Sequence, residues 1–152
     1  MRITEYLSSQ HDVFLEELSF LEQLNASQKE DDVRGLKEVV FTIASSVEKH
    51  AELEEKFLFP ELNCHLEQKM GPVEVIEFEH DEIRKILRSL KETEDPHTIR
   101  LEVSKFIVFL RDHIAKEEKA LFVIAEESMD HEKLEAAGQK AKAAGMKHNP
   151  EI

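Results

Sequence analysis

The chain has 152 residues, 41% of them hydrophobic, with a formal net charge of −13 and only four Gly and four Pro. That length suits one ordinary domain with a hydrophobic core, and the composition excludes a disordered chain and disfavours a turn-rich β fold. The acidic balance repels phosphate backbones, which argues against a nucleic-acid partner.

The first predicted element runs from about Ile3 to Leu24, with Leu7, His11, Phe14, Leu15, Leu18 and Leu21 on one stripe. Asn25-Ala26 closes it, and Ser27 with Glu30 reads as a capping box for the next. The second segment continues to about Phe59 and carries Ile43, Val47, His50, Glu54 and Phe57 on one face. Pro60 is expected to end or kink it, leaving a broken turn towards Met70. Gly71-Pro72 marks a break, and a third segment runs from Pro72 to about Glu92.

Asp95 reads as an N-cap with Pro96 at the first helical position. The fourth segment reaches about Glu127, with Phe106, Phe109, Leu110, His113, Glu117, Ala120, Leu121 and Ile124 on one side. A fifth, from about Asp130 to Ala144, is Ala- and Lys-rich. It is expected to lie outside the bundle or to serve a protein partner or a homodimer. No period-two pattern persists, so the fold class is all-α, an antiparallel bundle. Residues 1–127 form the expected bundle and 128–152 a C-terminal helix and tail.

The single cysteine, Cys64, permits neither an internal disulfide nor a thiolate cage. The opening MRITEYLSSQHD has no basic n-region or apolar h-region, and the apolar runs are short and broken by charge. The expectation is therefore a cytoplasmic protein without a membrane span.

Two stretches resemble each other. His50-Ala-Glu-Leu-Glu54-Glu-Lys-Phe-Leu-Phe and His113-Ile-Ala-Lys-Glu117-Glu-Lys-Ala-Leu-Phe both read H-x-x-x-E-E-K-x-L-F. His11-Asp12 and His80-Asp81 form a second matching pair, so the chain looks like a duplicated helical hairpin. Residues four apart on a helix share a face, which puts His50 with Glu54 and His113 with Glu117. A lone histidine on an apolar stripe is ordinarily a packed core residue. Four histidines and two carboxylates in phase on four helices are a different matter, because burying them unpaired costs several kcal/mol by rough estimate. A metal site in the bundle core satisfies them directly. Glu55 and Glu118, one position on, are turned about 100° away and are expected in solvent. Leu58-Phe59 and Leu121-Phe122 read as core packing. His65, His97, His131 and His148 are read as surface residues, with His65 close enough to Pro60 to turn back towards the site.

As a set, His11, His50-x-x-x-Glu54 with Leu-Phe-Pro after it, His80, and His113-x-x-x-Glu117 with Leu-Phe after it resemble the hemerythrin-like, or HHE cation-binding, family. The resemblance covers about residues 1–127. It implies an up-down-up-down four-helix bundle with a non-haem di-iron centre. By the same resemblance, Glu54 and Glu117 bridge two iron ions joined by an oxo or hydroxo group, and each histidine binds one ion terminally. Mn or Zn suits the same ligands.

Oxygen-carrying hemerythrins have a fifth histidine, a turn from another on the third helix. Here the positions four away from His80 are Ile76 and Arg84, which leaves Glu77 and Glu79 as candidates for an added ligand. The missing histidine turns the expectation away from reversible O2 carriage. Binding or sensing of O2, NO or peroxide is expected instead, with a di-iron oxidase or peroxidase, or iron storage or delivery, as alternatives. Family members that repair iron–sulfur clusters often carry a cysteine-bearing N-terminal domain. None is read here, so repair is expected to rank lower. A ferritin-like site needs two Glu-x-x-His motifs, but only Glu77-x-x-His80 is intact, since Pro96 breaks Glu94-x-x-His97. The H-E-x-x-H motif of zinc proteases is absent.

Overall fold

The computed structural model describes residues 1–27, 29, 32–65 and 71–147, and among these the chain is helical with no strand. The elements are α1 (Ile3–Ala26), α2 (Asp32–Leu53), α3 (Phe59–His65), α4 (Gly71–Glu92), α5 (Pro96–Lys116), α6 (Phe122–Ser128) and α7 (His131–Lys147). Two π-helical turns, π1 (Glu54–Leu58) and π2 (Glu117–Leu121), join α2 to α3 and α5 to α6 without a break. No described helix is long and apolar enough to cross a membrane.

The punctuation follows local chemistry. Asp95 caps α5, its Oδ2 accepting from Thr98 N–H at 3.0 Å and from Thr98 Oγ1 at 2.7 Å, with Pro96 in the first turn. The capping box expected for Ser27 and Glu30 lies outside the described residues. Of the two outcomes expected at Pro60, an end or a kink, the helix does not end: Pro60 sits in the first turn of α3, just past the irregular turn π1. The π turn closes with Phe59 N–H donating to Glu54 C=O, and returning to α-helical spacing leaves a carbonyl over. Pro60 has no N–H to offer it, so the widened turn and the proline fall together.

The same turns correct two inward assignments. Phe57 and Ala120, expected to follow the glutamates into the core, turn away from it in the wider turns. Phe57 is half-buried and Ala120 exposed, and on α1 Leu15 is exposed as well. Leu58-Phe59 and Leu121-Phe122 are buried, as expected.

α1 packs along α2 and α5, α4 along α5, and α2 touches both α4 and α5. Apolar side chains form two clusters. One gathers Leu18, Leu36, Val40, Leu90, Val103 and Phe106. The other gathers Ile3, Leu7, Leu58, Leu62, Leu121 and Phe122. Each of the helical runs 3–26, 32–65, 71–92 and 96–128 contributes to both. Along each run the passage from one cluster to the other goes through buried histidine or glutamate. The polar layer is therefore sandwiched between two apolar ones.

α7 lies against α1, α2 and π1, and its Leu134, Ala137 and Ala141 join the second cluster. Its crossing with the start of α1 is close: a Cβ on Gly138 would stand 2.2 Å from the Met1 carbonyl oxygen. Backbone cannot move aside as a side chain can, so Gly138→Ala is expected to cost about 1–3 kcal/mol of stability. Gly35 on α2 has nothing within 4 Å of such a Cβ. Gly35→Ala is expected to stabilise by about 0.5–1 kcal/mol through helix propensity. Urea unfolding of the two variants checks both signs.

Candidate metal centre

The six residues singled out in the sequence converge. His11 comes from α1, His50 from α2, Glu54 from π1, His80 from α4, His113 from α5 and Glu117 from π2, and all are buried. They form two groups, His11-His50-Glu54-Glu117 and Glu54-His80-His113-Glu117, in each of which one ligand atom per residue lies within 4.8 Å of the others. The two glutamates belong to both groups. His11 Nε2 stands 2.8 Å from Glu117 Oε1, and His50 Nε2 is 3.4 Å from Glu54 Oε2 and 3.5 Å from Glu117 Oε1. On the other side, His80 Nε2 is 3.3 Å from Glu54 Oε1, and His113 Nε2 is 3.5 Å from Glu117 Oε2.

Each imidazole is held from behind. His11 Nδ1–H donates to Glu118 Oε2 at 2.9 Å, and His80 Nδ1–H donates to Glu55 Oε1 at 3.0 Å. His113 Nδ1–H donates to Glu79 Oε1 at 2.9 Å, and His50 Nδ1–H to Gln10 Oε1 at 2.7 Å. An acceptor at Nδ1 fixes the N–H there and leaves the Nε2 lone pair aimed inward. The rings are also stacked: His11 lies 5.4 Å from Phe122 at 8°, and His80 lies 6.3 Å from Phe59 at 17°. The repeat is visible in space, since each α1 or α4 histidine meets the phenylalanine that ends the motif of the other half.

Glu55 and Glu118 therefore are not simply solvated. They are partly exposed, but one step round the helix from Glu54 and Glu117 lies a neighbouring helix rather than open water, and each meets a histidine there. Glu118 also accepts from Ser8 Oγ at 2.6 Å. Of the two acidic candidates on α4, Glu77 is exposed. Glu79 is buried, and its other oxygen accepts from Lys116 Nζ, which also reaches Asp112 at 3.0 Å. Glu79 joins neither ligand group and instead supports His113. His97 and His131 are exposed, while the side chain of His65 and all of His148 lie outside the described residues. Gln10 and the role of Glu55 and Glu118 escaped the sequence reading. The signal for Gln10 was its place just before His11, matching Glu79 just before His80.

The two buried glutamates are set against each other electrostatically. Burial, then the facing Glu117, holds the Glu54 carboxyl well above the usual carboxylate range. Burial pushes Glu117 upward too, but the neighbouring Glu54 carboxyl and the close His11 and His50 rings outweigh it and hold Glu117 well below the usual range. The pair behaves as two acids that cannot both be charged without help. Burial lowers His113, whereas in His80 the nearby Glu54 carboxyl and the hydrogen bond to Glu55 outweigh burial and raise it. His50 Nε2, His80 Nε2, both Glu54 oxygens and Glu117 Oε2 are buried without a hydrogen-bond partner. Buried polar atoms are rarely left so, and nitrogen and carboxylate donors aimed at common points fit divalent first-row metals such as Fe, Mn or Zn.

The sequence model of the hemerythrin HHE cation binding domain matches residues 2–125. The chain belongs to the hemerythrin HHE family. Among curated proteins, the iron-sulfur cluster repair proteins YtfE of Escherichia coli (strain K12 / DH10B) and of Shigella boydii serotype 18 (strain CDC 3083-94 / BS512) are each 31% identical over 101 residues. The match covers 59% of this chain and 46% of theirs, so this HHE chain spans about half the length of the curated relatives it matches. No solved structure gives a significant match.

A cavity of about 670 Å³ opens between α1, α2 and α7, lined by Tyr6, Gln10, Phe14, Lys49, Leu53 and Glu55. It reaches two of the residues that support the histidines, Gln10 behind His50 and Glu55 behind His80.

Proposed function

We propose that this HHE protein holds two iron ions in the core of an antiparallel up-down-up-down bundle formed by residues 3–26, 32–65, 71–92 and 96–128, and that it binds or senses O2, NO or peroxide there. The observation that carries the reading is the set of five orphaned buried atoms, distributed over two groups that share two carboxylates. His11 and His50 would hold one ion and His80 and His113 the other, with Glu54 and Glu117 serving both. Iron so bound supplies electrons and an open coordination position for a small ligand.

The chain's own residues do the rest. The backing acceptors orient the imidazoles, the phenylalanines exclude water from their faces, and the two apolar clusters close the layer above and below. Four protein donors per ion, without the fifth histidine of the oxygen carriers, favour a site open to exogenous ligands. Protein loaded with Fe2+ under anaerobic conditions should contain about two ions per chain. A well-folded preparation that binds none would sink the site. Exposed to O2, the reduced protein is expected to oxidise irreversibly. Full recovery of the reduced spectrum under vacuum would instead identify a carrier.

The activity for which the YtfE relatives are named favours a second reading, iron delivery or iron–sulfur cluster repair. Transfer of iron from the loaded protein to an apo-ferredoxin supplied with inorganic sulfide, followed by the visible spectrum of the acceptor's cluster, separates it from sensing.

A further inference from the structure

Among the four residues that back the histidines, the duplication pairs like with like except at one position. His11 corresponds to His80, His50 to His113, Glu55 to Glu118, and Gln10 to Glu79 by the same spacing that relates His11 to His80. The contacts repeat as well. Glu118 backs His11 as Glu55 backs His80, and Gln10 backs His50 as Glu79 backs His113. Three of the four supports are carboxyl groups and one is a neutral amide.

The difference has a direction. A carboxylate accepting from Nδ1–H pushes electron density through the ring and makes Nε2 a stronger donor, and such partners are worth about 10–100-fold in metal affinity. An amide oxygen accepts the same hydrogen bond at 2.7 Å without the charge. Glu79 is furthermore buried and tied to Lys116, which holds it in place behind His113.

We propose that Gln10 makes the His11/His50 position the weaker of the two metal positions, filling last and emptying first. This rests on the di-metal reading above. Gln10 is a positioning residue that acts through His50, and the unequal pair it creates gives one retained ion and one exchangeable ion.

The test uses Zn2+ as the probe and the full chain. Metal-free protein given one equivalent of Zn2+ and crystallised should show the zinc anomalous signal about 10-fold or more stronger between His80 and His113 than between His11 and His50. Chelator-driven release from the fully loaded protein should show two phases separated by a similar factor. Gln10→Glu is expected to merge the phases to within a few-fold. The double exchange Gln10→Glu with Glu79→Gln is expected to move the single zinc to the His11/His50 side, which a merely structural role for either residue would not do. Equal occupancy in the natural chain, or an unmoved zinc in the double exchange, overturns the proposal while leaving the site intact. Saturation below one ion per chain overturns the site and this inference with it.

Discussion

Glu117→Ala is expected to reduce the metal content from about two ions per chain to one or none, measured by elemental analysis after loading and desalting. Glu117 faces three of the four histidines, with Oε1 2.8 Å from His11 Nε2 and 3.5 Å from His50 Nε2, and Oε2 3.5 Å from His113 Nε2. Its removal takes a donor and half of the negative charge from both positions at once. Glu54→Ala should act in the same way, because its oxygens lie 3.4 Å from His50 Nε2 and 3.3 Å from His80 Nε2. Glu118→Ala supplies the contrast. That side chain supports His11 but reaches no shared point, so the variant should still bind about two ions at saturation, with affinity lower by about 10–100-fold. Unchanged metal content in Glu117→Ala would remove its role as a shared ligand.

The six candidate positions were legible in the sequence because the helix repeat converts spacing into a face, and the duplication then states the same face twice. His50 with Glu54 needed only the four-residue rule. What that rule hides is the π turn that begins at each glutamate. A reading at 3.6 residues per turn sent Phe57 and Ala120 inward, whereas the wider turn leaves the first half-buried and the second exposed and carries the helix on past Pro60. Both π turns fall on the repeated E-E-K-x-L stretch, so the repeat encodes a backbone irregularity as well as a buried carboxyl.

The supporting residues were hidden for another reason. Whether a side chain about 100° round the helix meets water or a neighbouring helix depends on tertiary packing. Glu55 and Glu118 share their side of the turn with lysines, and nothing local distinguishes them from solvated charges. Only the assembled fold sets them beside His80 and His11. The C-terminal helix shows the same limit: its weak apolar pattern left an external place open, while the structure uses Leu134, Ala137 and Ala141 in the core and brings Gly138 against the start of α1.

Removing the metal is expected to lower the melting temperature by at least about 8 °C. An ion held at a thousand times its dissociation constant contributes about 4 kcal/mol, and about 1 kcal/mol moves the midpoint of a chain of this size by ~2–4 °C. The cause lies in what the metal-free fold retains: two buried carboxyls facing each other and inward-aimed imidazoles, with Glu54 Oε1 and Oε2 lacking any partner. Such a layer is tolerated in the folded state only against its own electrostatics. Glu54→Leu should therefore have opposite effects in the two forms. Without metal, the variant is expected to melt above the metal-free parent, because an apolar side chain of similar size joins the adjoining clusters and replaces a buried carboxyl whose two oxygens lack partners. With metal, it should gain little, since one shared ligand is gone. Scanning calorimetry of both proteins, with and without chelator, reads these shifts. If chelation left the parent unmoved and Glu54→Leu destabilised both forms alike, the six residues would be a self-sufficient hydrogen-bonded core, and the reason for assigning them to a metal would be lost.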